Sequence, residues 1–175
     1  MGTVKPGWEG RFFDDFEVGD VYRCRYGRTI TEADNIQFTL LTNNTNQIHF
    51  NSDYAARTEW GRCLVNSVLT LAVVTGMGVA DVSENGFALG WEQITLPNPV
   101  FAGDTLYSES EVTAKRESAS RPGQGIVTVE TRGYNQDGVL VIRYRRSVMT
   151  WKRSHAPSVG LFPNLAGQHQ GGDSG

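Results

Sequence analysis

Residues 61–80 read GRCLVNSVLTLAVVTGMGVA, with apolar side chains at Leu64, Val65, Val68, Leu69, Leu71, Ala72, Val73, Val74, Met77 and Val79. On a helix these positions cover most of the circumference, and a helix with almost no polar face must be wrapped by other elements. A long buried helix over about 62–80 is therefore expected, beginning beside Gly61 and Arg62. The chain downstream supplies a wrapping. Residues 87–96, 105–116, 126–134 and 139–152 alternate apolar and polar side chains as strands do, and Gln136, Asp137 and Gly138 form a hairpin-turn signal between the last two. Upstream, residues 20–31 suit a strand, and Thr31 suits the cap of a helix beginning at Glu32, Ala33 and Asp34 and continuing through Ile36, Phe38, Leu40 and Leu41. A short helical piece follows around 52–58.

One buried helix followed by a meander of long strands predicts an α+β architecture in which a strongly curved antiparallel sheet folds around the helix. That arrangement is the hot-dog fold. Its long final strands leave an edge that invites pairing with another chain, so a homodimer or higher homo-oligomer is expected. With 175 residues, 39% of them hydrophobic, the chain suffices for one such domain, placed at 1–153. Residues 154–175 are rich in Gly, Pro, Ser, Gln and His and read as a flexible tail that holds His155 and His169.

The net charge of −3 offers no basic field for a nucleic-acid backbone. No apolar run is long enough to span a membrane, and residues 1–10 lack a signal-peptide pattern, so a soluble cytoplasmic protein is expected. Cys24 and Cys63 are too few and too far apart for a disulfide framework or a zinc site and read as core residues. No metal-ligand cluster, Gly-rich phosphate loop or dinucleotide fingerprint is present, so neither metal nor cofactor is expected.

Three segments can carry chemistry. Residues 42–51, TNNTNQIHFN, form a polar loop between two helices in which Asn side chains can fix the backbone and aim His49, the one histidine of the folded part, into a cleft. Imidazole is the side chain best suited to moving protons near neutral pH. Residues 61–67, GRCLVNS, open the apolar helix, where unpaired N–H groups and the positive end of the dipole can stabilise a developing oxyanion. Residues 96–106, LPNPVFAGDTL, read from the residues alone, are only a loop between strands.

Together, in this order, the segments resemble the MaoC-like dehydratases and R-specific enoyl-CoA hydratases. Those proteins carry a T-x-x-D helix start, a D-x-N-P-x-H loop, an F-G-x-x-I-x-H-G helix start and a P-V-x-x-G-D-T-L strand start. Here the matching residues are Thr31 to Asp34, Asn44 to His49, Trp60 to Ser67, and Pro99 to Leu106. The resemblance spans residues 12–153. It implies that His49 is the catalytic histidine, that Asn46 is the loop Asn, and that the backbone N–H of Ser67 holds the thioester oxygen, with Gly61 and Arg62 nearby on the substrate side.

One departure bears on mechanism. The position of the family's catalytic Asp is Asn44, and that of its Pro is Gln47. A neutral amide cannot take a proton, although it can orient a water. The resemblance then implies a hydratase or dehydratase acting across the α,β-double bond of an acyl-CoA thioester, with His49 performing the acid/base work, Asn44 positioning water, and coenzyme A entering only as part of the substrate. Altered loops of this kind are similar to those of mesaconyl-CoA and itaconyl-CoA hydratases. Their dicarboxylic substrates would want a cation near the cleft, for which Arg57 or Arg62 is near enough in sequence. Asp34, Asp53 and Glu59 are the carboxylates that could replace the missing acid, with Asp34 read as a helix cap. A non-catalytic acyl-CoA-binding or regulatory module and a thioesterase stand as alternatives. Arg116, Arg121, Arg143, Arg145 and Arg146 could meet coenzyme A phosphates, but each reads first as part of a charged strand face.

Overall fold

Side-chain alternation in the second half of the chain produces four long strands. In the computed structural model, which describes residues 3, 5 and 7–157, the elements run β1 (Val21–Arg23), β2 (Arg28–Thr29), α1 (Glu32–Leu41), α2 (Ser52–Ala56), α3 (Ser67–Met77), β3 (Gly86–Thr95), β4 (Thr105–Glu117), β5 (Gln124–Tyr134) and β6 (Leu140–Trp151). The pairings are antiparallel in the order β1-β4-β5-β6-β3, with β2 beside β1 on β4. The strand expected over 20–31 is thus two short pieces. They are separated by a bend at Arg25 and Tyr26, where Gly27 passes so close to the Tyr107 ring that a Cβ would lie 2.7 Å from it.

From Ile126 onward β5 alternates without a break: Val127, Val129, Thr131 and Gly133 are buried on one face. With Ile142, Tyr144 and Val148 of β6, opposite them in register, they form the concave side of the sheet. Helix α3 seats there, its Leu69, Val74 and Met77 clustering with Leu106, Val141, Ile142 and Tyr144. The approach is close. A Cβ on Gly133 would come within 2.6 Å of Ile142 and 2.8 Å of Val74, and the Thr75 hydroxyl lies 2.9 Å from that of Tyr144. A second cluster, Phe13, Phe16, Val82, Val112, Val127, Val129 and Val148, fills the other half of the curve. This is the hot-dog architecture.

The helix differs from expectation in length and in exposure. It has 11 residues. Leu64 and Val65, apolar enough to extend it, are instead extended: Leu64 bridges to Phe101, and the Val65 N–H donates to the Val100 carbonyl at 2.9 Å. Asn66 then caps α3 by accepting the Val68 N–H. Gly61 and Arg62 therefore lie in a turn ahead of the helix rather than at its start. Nor is the helix wrapped all round. Val68 is 56% exposed, and Ala72 beside it is also exposed.

Cys24 and Cys63 are half-buried rather than core residues, Cys24 packing against the edge of the first cluster. Ser154 and His155, expected in a tail, belong to a 3-10 turn, Arg153–His155; the rest of that segment past Pro157, His169 included, lies outside the described residues. Among the described residues no helix is long and apolar enough to cross a membrane, and no group of His, Cys, Asp and Glu is arranged to hold a metal ion.

Candidate active site

The loop that presents His49 is built from successive side-chain turns. The Asn44 N–H donates to the Thr39 carbonyl at the end of α1, and Asn44 Oδ1 accepts the Asn46 N–H at 3.0 Å. Asn46 Oδ1 accepts the Ile48 N–H at 3.2 Å and caps a 3-10 turn, Gln47–His49. Asn51 donates its Nδ2 to Gln47 Oε1 and caps α2. Asn43 takes a positive φ of 54°, a conformation that Asn tolerates better than most residues. The Asn run is therefore a local scaffold. Asn44 is half-buried with its Oδ1 committed to the loop, and its Nδ2 has no partner among the described residues.

His49 is 8% exposed. Its Nδ1 lies 2.8 Å from the Leu64 carbonyl oxygen. A carbonyl can only accept, so Nδ1 carries a proton, and the tautomer this selects has its lone pair on Nε2, the arrangement required of a base. Leu64 is held in turn by its N–H, which donates to the Ile48 carbonyl at 3.0 Å. Three residues on, α3 begins. The Asn66 N–H goes to Asn35 Oδ1 and the Val68 N–H to Asn66 Oδ1, whereas the Ser67 N–H has no acceptor among the described residues. A free amide at a helix N-terminus is an oxyanion donor.

Beside Ser67 opens a cleft of about 200 Å³ lined by Trp60, Leu64, Val65, Thr70 and the segment Leu96 to Val100. The Pro-rich loop, a bare connection from its residues alone, is one wall of it; Asn98 pins that wall by donating to the Leu140 carbonyl at 2.9 Å. His49 and Asn44 are not among the lining residues, and His49 meets the wall through Leu64. Asn46 is exposed. Gly61, at φ +65° with open space where a Cβ would be, is a turn residue away from the cleft. The Arg62 guanidinium stacks 3.9 Å over the Phe101 ring, which also packs against Trp60.

The remaining sequence candidates separate. Arg57 is tied to Asp53 at 2.6 Å, whereas Arg62 has no carboxylate partner among the described residues. Asp34 closes a capping box with Thr31 and pairs with Arg28 at 2.8 Å. The Thr31 backbone N–H, more than any other group, holds the Asp34 carboxyl below the usual carboxylate range, so it stays ionised as a cap. Glu59 is exposed. Of the five arginines read as a strand face, Arg116, Arg143 and Arg145 are exposed on strands and Arg121 is exposed in the turn between β4 and β5, but Arg146 corrects the expectation of a charged face: it is 4% exposed, on the concave side of β6 between the two apolar clusters. Burial lowers its pKa.

Sequence reasoning missed Asn35 altogether. At 2% exposure it bonds the supports of both the His49 loop and α3. The available signal was the spacing of Asn35 and Thr39, two polar residues one turn apart on α1; both are buried, while Leu40 and Leu41 are 59% and 81% exposed.

A buried imidazole and an unpaired helix-terminal amide are both anchored to the 64–67 segment of a hot-dog fold. The chain belongs to the mesaconyl-CoA hydratase family, whose model matches residues 4–169. It is 34% identical over 164 residues to the mesaconyl-CoA hydratase of Cereibacter sphaeroides, an alignment covering 90% of this chain and 47% of that protein. It superposes on a MaoC-domain dehydratase of Chloroflexus aurantiacus with a TM-score of 0.81 and 31% identity, covering 93% of this chain and 47% of the other. A double hot-dog-fold protein of Mycobacterium tuberculosis shares the fold at a TM-score of 0.75 and 22% identity, covering 89% of this chain and 47% of that one. The chain spans about half the length of the mesaconyl-CoA hydratases it matches.

Proposed function

We propose that the chain adds water to, or removes it from, the α,β-double bond of a short, branched or dicarboxylic enoyl-CoA of the mesaconyl-CoA kind. The observation that carries this reading is the 2.8 Å contact of His49 Nδ1 with the Leu64 carbonyl, which leaves Nε2 as a free base beside the segment that leads into α3. In the hydration direction, Nε2 takes a proton from a water oriented by Asn44 Nδ2 while the water oxygen bonds to the β-carbon. The electron pair of the double bond moves onto the thioester, and the Ser67 N–H and the α3 dipole hold the enolate oxygen. Protonated His49 then returns a proton to the α-carbon, so that one water is consumed and the enzyme is restored. Arg62, lacking a carboxylate partner beside Phe101, supplies the cation for the second carboxylate or for a coenzyme A phosphate. This chemistry requires no cofactor beyond the coenzyme A of the substrate, and its setting is the cytoplasm.

The assembly proposed is a homodimer or higher homo-oligomer joined at β3. That edge strand shows Phe87, Leu89, Trp91 and Ile94 each more than 40% exposed, an apolar edge that a second copy would cover.

The test is a panel of enoyl-CoA and 3-hydroxyacyl-CoA esters, mesaconyl-CoA and itaconyl-CoA included, with loss or gain of the conjugated thioester followed by ultraviolet absorbance and free thiol by a colour reagent. Water addition to at least one ester without thiol release is expected. Tight binding with no turnover of any ester would make the chain an acyl-CoA-binding module, and thiol release would make it a thioesterase.

A further inference from the structure

We propose that Asn35 is the positioning residue that fixes His49 and the N-terminus of α3 relative to each other. Asn35 is 2% exposed, and its side-chain amide makes three bonds to three backbone groups. Nδ2 donates to the His49 carbonyl at 2.8 Å and to the Leu64 carbonyl at 3.1 Å, and Oδ1 accepts the Asn66 N–H at 2.8 Å. This orientation of the amide is the one that joins every donor to an acceptor; flipped, the oxygen would face two carbonyls and the NH2 group would face an N–H. The three bonded groups lie 14, 29 and 31 residues further along the chain, so no local turn could hold them together.

Each bond bears on a functional atom. The Leu64 carbonyl, which receives the His49 Nδ1–H, has its second lone pair filled by Asn35, and this fixes the direction in which it can hold the ring. The His49 carbonyl is held directly, so the backbone beneath the imidazole cannot shift. Asn35 takes up the Asn66 N–H and Asn66 takes up the Val68 N–H, while the Ser67 N–H between them has no acceptor among the described residues. Thr39, one turn after Asn35 on α1, completes the bracket: its Oγ1 accepts from Asn66 Nδ2 at 3.3 Å, and its carbonyl accepts the Asn44 N–H at 3.0 Å. Helix α1 thus presents a buried polar rail to which the base, the water-orienting amide and the oxyanion donor are all attached.

The inference rests on the proposed hydratase chemistry for its kinetic consequence. A base and an oxyanion donor must keep their separation, and a misplacement of about 1 Å costs on the order of 10²-fold in rate. Asn35→Ala is expected to lower kcat about 10²-fold per folded molecule, with KM changed less than about threefold, because the cleft walls are untouched. Asn35→Asp is the isosteric control. It keeps an acceptor for the Asn66 N–H but loses both donors, and it should lose at least as much. A folded Asn35→Ala with kcat within twofold of the parent, or one altered in KM alone, overturns the proposal.

A readout without turnover separates this inference from the proposed function. In the 15N spectrum of the parent chain, His49 should be the Nδ1–H tautomer, and the Asn35 NH2 should show couplings across its bonds to the His49 and Leu64 carbonyls. In Asn35→Asp the His49 ring should pass to a mixture of tautomers. A rapidly exchanging, uncoupled Asn35 amide in the parent sinks the proposal even if neither variant folds. If no ester is hydrated but the couplings are present, the clamp stands and the hydratase reading falls.

Discussion

At the scale of single residues, the proposed chemistry separates a proton carrier from the groups that aim it. His49 Nε2 has no partner among the described residues and is the base of the proposed reaction, so His49→Gln, which fills similar space without an imidazole, should lower kcat about 10² to 10⁴-fold while acyl-CoA binding persists. Stopped-flow turnover beside calorimetric binding checks this, and a fully active His49→Gln would remove His49 from the mechanism. Asn44 is different. Its Oδ1 is used in the loop, and only its Nδ2 is free. Asn44→Asp keeps the acceptor that folds the loop and exchanges a donor for a carboxylate, so activity should stay the same or shift in preferred ester, as read from kcat/KM across the panel. Loss of all turnover in Asn44→Asp would mean that a donor is indispensable there.

At the scale of elements, α3 depends on how it starts and on how closely it can lie. Asn66 accepts the Val68 N–H and reaches Thr39, so Asn66→Ala should destabilise the fold by about 1 kcal/mol or more, the ordinary worth of an N-cap, as measured by urea unfolding. Gly133 lets the helix approach β5. Gly133→Ala puts a methyl group against Ile142 and Val74 and should cost about 1–3 kcal/mol as an overpacked core, with a lower thermal midpoint. A Gly133→Ala variant as stable as the parent would mean that the helix can slide outward at no cost.

At the scale of the whole molecule, acid stability follows from the carboxylates that the fold keeps charged. The Thr31 N–H at Asp34, and the Arg23 guanidinium with Arg132 at Glu109, hold those two carboxyls below their ordinary values of 3.8 and 4.5. The unfolded chain therefore binds more protons there. Their contribution is complete above about pH 5 and is lost as pH falls through the lowered folded values. The urea midpoint should fall as pH drops below about 5, and less steeply in Glu109→Gln. Assembly is the other property at this scale. Trp91→Lys in β3 should shift the sedimentation profile toward monomer without unfolding the chain, and an unchanged profile would place the contact elsewhere.

How much could be read in advance follows from range. The four long strands were legible to within a residue or two because a sheet with one buried face writes its period of two into the sequence. The Asn-rich loop and His49 were legible because side-chain turns act within a few residues. The ends of α3 were not, since Leu64 and Val65 are as apolar as the helix that follows and only their pairing with Val100 and Phe101 makes them extended. Arg146 was misread because its place between two apolar clusters is a property of sheet curvature. The sequence by itself determined the α+β class, the alternation that buries one sheet face, and the polar loop that carries His49. Only the tertiary structure decided which face of α1 turns inward, because Asn35 and Thr39 are worth burying only where carbonyls and an amide from residues 44 to 66 are waiting to pair with them.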